Sequence, residues 1–341
     1  MDDDRPMFKD NDESIDIHGG EISQIAFSND GQRIVSNSTN GTVKLWDADS
    51  GECSYTLKYH GGQIHRMVFS PDSRHLASSA DDKTVKIWDV DSGECKHTFK
   101  CQEELPSTFV FSPNSQRIAV VDEANGTIKI WNTNSGTCEI TIKDDFKSTR
   151  RLVFSPDSQR IAADSNNDTI TIWDVISDTT SACRIQTFEA LENSLRYNPF
   201  FDFSTDGQRI TFAVKPYFRV DDRRLLINEW DIASGNCVQT FEDLDGSELS
   251  IDFSSTLRKR KYRSSDDAIR KLGIGLRKSD WITLDGEALL WLPWEFRPTE
   301  IDPVYAVKDS TIAIGLVNGK VLVIRLALDS EAGAVLRPRL Q

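Results

Sequence analysis

Apolar residues return at every second position in a short stretch that recurs along this chain: Ile25/Phe27, Met67/Phe69, Phe109/Phe111, Leu152/Phe154, Phe201/Phe203 and Ile251/Phe253. A period of two marks a half-buried strand, because successive side chains of an extended backbone point to opposite faces. In the cleanest copy, residues 60–99, three more strands are predicted after this one. Ser70-Pro71-Asp72-Ser73 reverses the chain, with Pro presetting φ at the second turn position and short polar side chains bonding locally. His75 to Ser79 forms the second strand, Asp81-Asp82-Lys83 the next turn, Thr84 to Trp88 the third strand and Glu94 to Phe99 the fourth. The β-branched residues of the third suit a pleated, half-buried surface. Ser112-Pro113-Asn114-Ser115 and Ser155-Pro156-Asp157-Ser158 repeat the first turn.

Each copy ends on Trp followed by Asp or Asn: Trp46, Trp88, Trp131, Trp173 and Trp230, at intervals of 42, 43, 42 and 57 residues. A period just above 40 that ends in Trp-Asp is the sequence trace of a four-stranded β-propeller blade. On these residues the chain resembles the WD-repeat family. That resemblance implies a buried hydrogen-bonded set of His, Ser, Asp and Trp in each blade, carried here by His60, Ser78, Asp82 and Trp88, and by His18, Ser36, Asn40 and Trp46 with Asn in place of Asp. In later copies Gln102 and Asp145 stand at the His position, and Asn125 and Asn167 at the Asp position. The trio of His, Asp and Ser recurs in phase with the repeat, which is the behaviour of a structural tether rather than of a catalytic triad.

The expected architecture is therefore all-β: a seven-bladed β-propeller of four-stranded antiparallel blades, since no blade buries both faces alone and neighbours must stack until the ring closes. Residues 1–13 are expected to form a disordered acidic tail, 14–328 a single propeller with irregular insertions at 215–226 and 255–272, and 329–341 a flexible tail. Ser14 to Ile17 precede His18 as Thr56 to Tyr59 precede His60, so they are expected to act as a fourth strand that completes the last blade and closes the ring. Asp285-Gly286 predicts a hairpin between 281–284 and 287–292 in blade six, whose first strand is expected at Leu249 to Phe253. Blade seven is expected at Tyr305 to Val307, Thr311 to Gly315 and Val321 to Leu326 with the N-terminal strand.

A second resemblance covers residues 273–326. Gly273-Ile-Gly-Leu, the run from Trp281 to Pro293, Glu295-Phe-Arg-Pro, Asp309 to Gly315 and Gly319 to Arg325 are similar to the terminal segment of WD-repeat arrays in fungal NACHT-type, NOD-like NTPases. The resemblance implies a sensor or partner-binding domain. The sequence given contains no Gly-x-x-x-x-Gly-Lys-Ser/Thr motif, and Gly275-Leu-Arg-Lys-Ser lacks the first glycine at the required spacing. Two expectations follow: a stand-alone propeller, or the tail end of a longer gene.

Charge narrows the partner. At a formal net charge of −14 over 341 residues, the mean field repels phosphate and argues against general binding to nucleic acid or anionic membrane. The longest apolar runs are far shorter than a membrane span, and the N-terminus lacks the apolar core of a signal peptide. Five of the six cysteines, Cys53, Cys95, Cys138, Cys183 and Cys237, fall on successive fourth strands, a mark of duplication rather than of pairing, and there is no Cys-x-x-Cys. These features lead to an expectation of a cytoplasmic chain, with the nucleus as the alternative, carrying no metal, no cofactor and no catalytic residues.

Function is expected on loops. The Ser-Pro-Asp turns and the Asp-x-x-Ser-Gly links on one face are nearly constant, whereas the loops on the other differ every time, and variable loops on a rigid scaffold are where recognition resides. Candidate partner-binding residues there are Gln63, His65, Asp81, Arg150, Tyr197, Tyr217, Phe218 and Arg219, for a protein or peptide ligand held by a monomer or within a larger assembly. The alternative is a nucleic-acid-associated scaffold using Arg223, Arg224 and the basic run 258–263. Asp89-Val-Asp91-Ser-Gly93 opens like a calcium loop, but its glycine comes one position early and the twelfth position is Lys100, so it is predicted to be a turn.

Overall fold

A computed structural model describes residues 18, 20–57, 60–101, 108–144, 146, 149–165, 169–176, 182–189, 200–214, 225–243, 274–277, 281–284, 287–291, 305–308, 311–315, 321–327 and 335–340. Every sheet strand pairs antiparallel with its neighbours in chain order. Sheet one comprises β1 (Ile22–Phe27), β2 (Arg33–Ser38), β3 (Val43–Asp47) and β4 (Cys53–Leu57), and sheet two β5 (Ile64–Phe69), β6 (His75–Ala80), β7 (Thr84–Asp89) and β8 (Cys95–Lys100). Sheet three holds β9 (Phe109–Phe111), β10 (Arg117–Asp122), β11 (Thr127–Asn132) and β12 (Cys138–Lys143), and sheet four β13 (Leu152–Phe154), β14 (Arg160–Asp164), β15 (Thr169–Asp174) and β16 (Cys183–Glu189). Sheet five is β17 (Phe200–Phe203), β18 (Arg209–Val214), β19 (Leu225–Asp231) and β20 (Cys237–Asp243).

A three-stranded sheet follows, β21 (Ile274–Arg277), β22 (Trp281–Leu284) and β23 (Glu287–Trp291), then a four-stranded one, β24 (Tyr305–Lys308), β25 (Thr311–Gly315), β26 (Val321–Ala327) and β27 (Val335–Leu340). Among the described residues there is no α-helix; the one helical turn is a 3-10 turn at Glu123–Asn125. Four-stranded antiparallel sheets repeated in this way are consistent with propeller blades.

The core lies between sheets, as a stacked array requires. Val43, Leu45 and Leu57 of sheet one meet Met67, Leu76 and Trp88 of sheet two. Val85, Ile87 and Phe99 meet Phe109, Ile118 and Val120 of sheet three, and Ile170, Ile172 and Phe188 of sheet four meet Phe201, Ile210 and Phe212 of sheet five. The two ends of the described chain also pack together: Ile22, Ile25 and Trp46 share a cluster with Ala313, Val321 and Val323.

One face is stitched by a repeated turn. Ser73, Ser115 and Ser158 adopt φ of 61–64°, a left-handed conformation that costs a non-glycine residue energy. Each offsets that cost with a bond to the preceding sheet: Ser73 Oγ accepts from Asp30 N–H at 3.1 Å, Ser115 Oγ from Asp72 N–H at 3.0 Å and Ser158 Oγ from Asn114 N–H at 3.2 Å. Sheet five has Gly207 at this position, φ 66°, and its carbonyl accepts from Arg160 Nη1 at 2.9 Å instead.

In each of the first five sheets the register slips between the third and fourth strands where the tryptophan stands, between Leu45 and Trp46, Ile87 and Trp88, Ile130 and Trp131, Ile172 and Trp173, and Glu229 and Trp230. A bulge at a fixed place re-aims one side chain and increases local twist.

The last four-stranded sheet departs from expectation. Its outer position is taken by β27, paired along Leu322↔Leu340 to Ala327↔Val335, inside the tail that was expected to be flexible; residues 14–17, expected to complete this blade, lie outside the described residues. Pro338 sits in this strand opposite Ile324. Proline donates nothing to a ladder, and it is tolerated on an edge strand, where one side of the backbone needs no partner. The expected first strand of blade six, 249–253, and most of the irregular segments 215–226 and 255–272 are likewise outside the described residues, whereas the predicted hairpin strands are present as β22 and β23.

Candidate functional site

In sheet two Trp88 Nε1–H donates to Ser78 Oγ at 2.8 Å, and Ser78 Oγ lies 2.7 Å from His60 Nε2. His60 Nδ1 lies 3.1 Å from Asp82 Oδ2, and Asp82 also accepts from Thr84 Oγ1 at 2.7 Å and Gly61 N–H at 3.1 Å. Burial lowers the pKa of His60 despite Asp82, so the ring is neutral near pH 7. A carboxylate only accepts, so the single ring proton is on Nδ1 and Ser78 O–H donates to Nε2. Burial alone would raise the Asp82 carboxyl; the bonds from Thr84, Gly61 and His60 outweigh it and hold the group below the usual range. Every polar atom of the relay from indole to carboxylate is thus assigned a role.

Sheet one varies this. Trp46 Nε1–H donates to Ser36 Oγ at 2.8 Å, and Ser36 Oγ meets His18 Nε2 at 2.7 Å. His18 Nδ1 meets Thr42 Oγ1 at 2.9 Å, and Thr42 Oγ1 donates to Asn40 Oδ1 at 2.7 Å, so the asparagine enters through a hydroxyl relay.

Sheets three to five have lost the serine. Two residues beyond the partner of each tryptophan stand Val120, Ala163 and Phe212 in place of Ser36 and Ser78. Rings replace the polar set. Trp131 stacks on Phe99 at 4.4 Å between centroids, Trp173 takes Phe146 edge-on at 5.1 Å, and Trp230 lies between Phe188 at 5.5 Å and Phe212 at 5.8 Å. Trp230 Nε1 is buried with no hydrogen-bond partner among the described residues. Gln102, Asp145 and Asn167 lie outside the described residues; Asn125 Nδ2 donates to Asp122 Oδ2 at 3.0 Å.

A contrast follows that chemical denaturation can read. Ser78→Ala strands both Trp88 Nε1–H and His60 Nε2 in the interior and is expected to cost about 1–3 kcal/mol. Trp230→Phe removes an N–H that already lacks a partner and is expected to cost less than about 1 kcal/mol.

Gln63, just before β5, His65 within it and Asp81, just after β6, form one unit. Asp81 Oδ1 lies 2.6 Å from His65 Nε2 and its Oδ2 accepts from Gln63 N–H at 3.1 Å, while Asp81 N–H donates back to the Gln63 carbonyl at 3.0 Å. The bond from His65 leads the causes that hold the Asp81 carboxyl below its ordinary value. Beside them Gly41, φ 81°, lets the sheet-one hairpin approach: a Cβ there would stand 2.6 Å from the Gly62 carbonyl.

Arg150 is exposed, two residues before β13. Its backbone N–H and that of Arg151 both donate to Asp164 Oδ1, at 3.0 and 2.9 Å. Tyr197, Tyr217, Phe218 and Arg219, and the basic residues Arg223, Arg224 and 258–263, lie outside the described residues.

Sequence reasoning passed over a second group. Asp164 is buried at 3 % exposure, and burial pushes its carboxyl up to about 6. Arg66 lies over the Phe109 ring at 5.2 Å, and Arg151 over the Phe201 ring at 5.8 Å. The one available signal was phase: Arg66 and Arg151 each stand three residues before the phenylalanine that ends a first strand, Phe69 and Phe154.

None of the six cysteines forms a disulfide, and the described residues include no group of three His, Cys, Asp or Glu placed to hold a metal. No helix among the described residues is long and apolar enough to cross a membrane. No curated protein matches the chain. Residues 13–47, 51–89, 93–132 and 136–174 each match the model of the WD domain, G-beta repeat. The four matched segments end on the four tryptophan dipeptides that end the third strands of sheets one to four, and together they support a WD-repeat family for this chain.

Proposed function

We propose that this chain is a seven-bladed propeller that acts without catalysis, binding a protein or peptide partner on its variable loop face. WD40 repeats generally mediate protein–protein scaffolding. The observation that carries the reading is the difference between the two faces. One repeats the same inter-sheet serine bond across sheets one to four, and the other presents the His65–Asp81 unit on one sheet and Arg150 on another. A face that is rigid behind and chemically varied in front binds with little ordering cost. Ring closure is supported by the packing of Ile22 and Ile25 against Ala313 and Val323. A sensor role is the narrower form of the reading, supported by the similarity of residues 273–326 to the ends of NACHT-associated arrays.

Affinity capture tests it. A His65→Ala/Arg150→Glu double variant is expected to melt with the wild type yet lose the captured partner, while Gln116→Ala, exposed on the stitched face, retains it. Equal capture by all three proteins overturns the assignment of the face. Capture of RNA that falls steeply with salt favours the nucleic-acid alternative instead.

A further inference from the structure

The second strand opens on arginine in four of the first five sheets: Arg33, Arg117, Arg160 and Arg209. Each reaches a fixed acceptor. Arg33 Nη1 donates to Asp47 Oδ2 at 3.0 Å, Arg117 Nε to Glu139 Oε2 at 2.8 Å, Arg160 Nη1 to the Gly207 carbonyl at 2.9 Å and Arg209 Nη1 to Glu229 Oε2 at 3.2 Å. Sheet two has His75 in that place. The permanent cation has moved to the fourth strand, where Lys96 Nζ lies 3.1 Å from Asp89 Oδ2.

Asp89 is the counterpart of Asp47. Each ends a third strand and stands directly opposite the residue that opens the second, His75↔Asp89 as Arg33↔Asp47. Each accepts on Oδ1 from a serine N–H of the following link, Ser50 at 2.8 Å and Ser92 at 2.9 Å, which leaves Oδ2 for the cation.

His75 is 5 % exposed, and its Nε2 lies 3.3 Å from Lys96 Nζ. An ammonium only donates, so Nε2 accepts and the neutral ring carries its proton on Nδ1. That Nδ1 is buried with no hydrogen-bond partner among the described residues. Burial above all, then the Lys96 ammonium, holds the imidazole pKa below its ordinary value of 6.5; Asp72 and Asp89 pull it up, and His97 adds to the lowering. A proton taken up from solvent turns Nε2 into a donor. The bond from Lys96 is then lost, and two cations face one carboxylate. Asp89 is the acceptor that an imidazolium needs, and Lys96, with 36 % of its side chain exposed, is the group with a way out to water.

We propose that sheet two carries a proton-driven exchange: His75 binds a proton and takes over Asp89, and the Lys96 ammonium is released to solvent beside the link on the stitched face. The protonated sheet then pairs as sheet one does, with a cation from the second strand on the aspartate that ends the third. Acid thus adds one positive charge and frees an ammonium on a face away from the variable loops, in a chain whose net charge is −14.

NMR of the whole protein between pH 7.5 and 4.5 tests this by following the His75 Cε1–H and Lys96 Nζ signals together. His75 is expected to titrate below 6.5, and the Lys96 signal to move to the position of a solvated lysine with the same midpoint. Lys96→Met is expected to raise the proton affinity of His75 by about threefold or more, and Asp89→Asn to lower it. His75→Arg restores the residue of the other four sheets. The unfolded chain takes the proton at the ordinary value and the folded one only at lower pH, so wild type loses stability as pH falls through that window and His75→Arg escapes this loss.

A Lys96 signal that stays fixed while His75 titrates overturns the exchange. So does a His75 midpoint unmoved by Lys96→Met, or a parallel fall in the denaturant midpoints of wild type and His75→Arg between pH 7.5 and 5.

Discussion

Replacing Trp88 by alanine is expected to lower the free energy of unfolding by about 3–5 kcal/mol, the range for deleting a large buried aromatic. The indole is 0 % exposed and packs in the cluster that joins sheets one and two, with Val43, Leu45, Met67 and Leu76 around it. Two losses combine. The cavity removes dispersion contacts on both sides of the sheet interface, and Ser78 Oγ loses the donor that fixes its own proton toward His60. Trp88→Phe separates them: it fills most of the volume and deletes the N–H, so it is expected to cost about 1–2 kcal/mol. Denaturant midpoints of the two variants, read beside His65→Ala, test the division of this chain into core and surface. Trp88→Ala unfolding at the wild-type midpoint, or His65→Ala falling with it, would remove that division.

The same geometry shows what the residues disclose about themselves. Strand positions were legible because local pattern, turn chemistry and repeat phase agree there, and the tethers around Trp46 and Trp88 were implied by the resemblance to the WD-repeat family. In sheets three to five the polar set disappears and the sequence reports only its absence. Phe146 and Phe212 replace it, and a phenylalanine in a strand or before one reads as ordinary core until ring geometry shows it against a tryptophan.

Val335–Leu340 was missed because Pro338 and two arginines disguise an edge strand as tail. Gln63, His65 and Asp81 were found as loop residues, yet their mutual bonding was not, since only the hairpin register brings residues 65 and 81 together. Arg66 and Arg151 were hidden for a different reason: the polar phase of a strand normally faces water, whereas these two lie over the rings of Phe109 and Phe201.

Asp164→Asn is expected to stabilise the protein at neutral pH and to remove part of its pH dependence. Burial raises the folded-state pKa of Asp164 to about 6, against an ordinary aspartate value of 3.8. Between those two values the folded state holds more protons than the unfolded state, so stability falls as pH rises. The contribution is fully present below about 4 and lost above about 6, and the difference between the two values corresponds to about 3 kcal/mol. Asparagine does not ionise and escapes the loss.

Its carbonyl oxygen can keep the two bonds that matter, since Arg150 N–H and Arg151 N–H both reach Oδ1 at 3.0 and 2.9 Å. Sheet one already uses this solution. Asn37 stands three residues after Ile34, the partner of Trp46, as Asp164 stands three after Ile161, the partner of Trp173. Asn37 is 1 % exposed, accepts from Ser23 Oγ at 3.0 Å and donates to the Ile64 carbonyl at 3.2 Å. Denaturant midpoints of wild type and Asp164→Asn at pH 4.5 and 7.5 decide the matter: the variant should gain on the wild type as pH rises. Parallel curves would mean that Asp164 stays ionised across that range, its charge held by Arg150 and Arg151 more firmly than its burial opposes it.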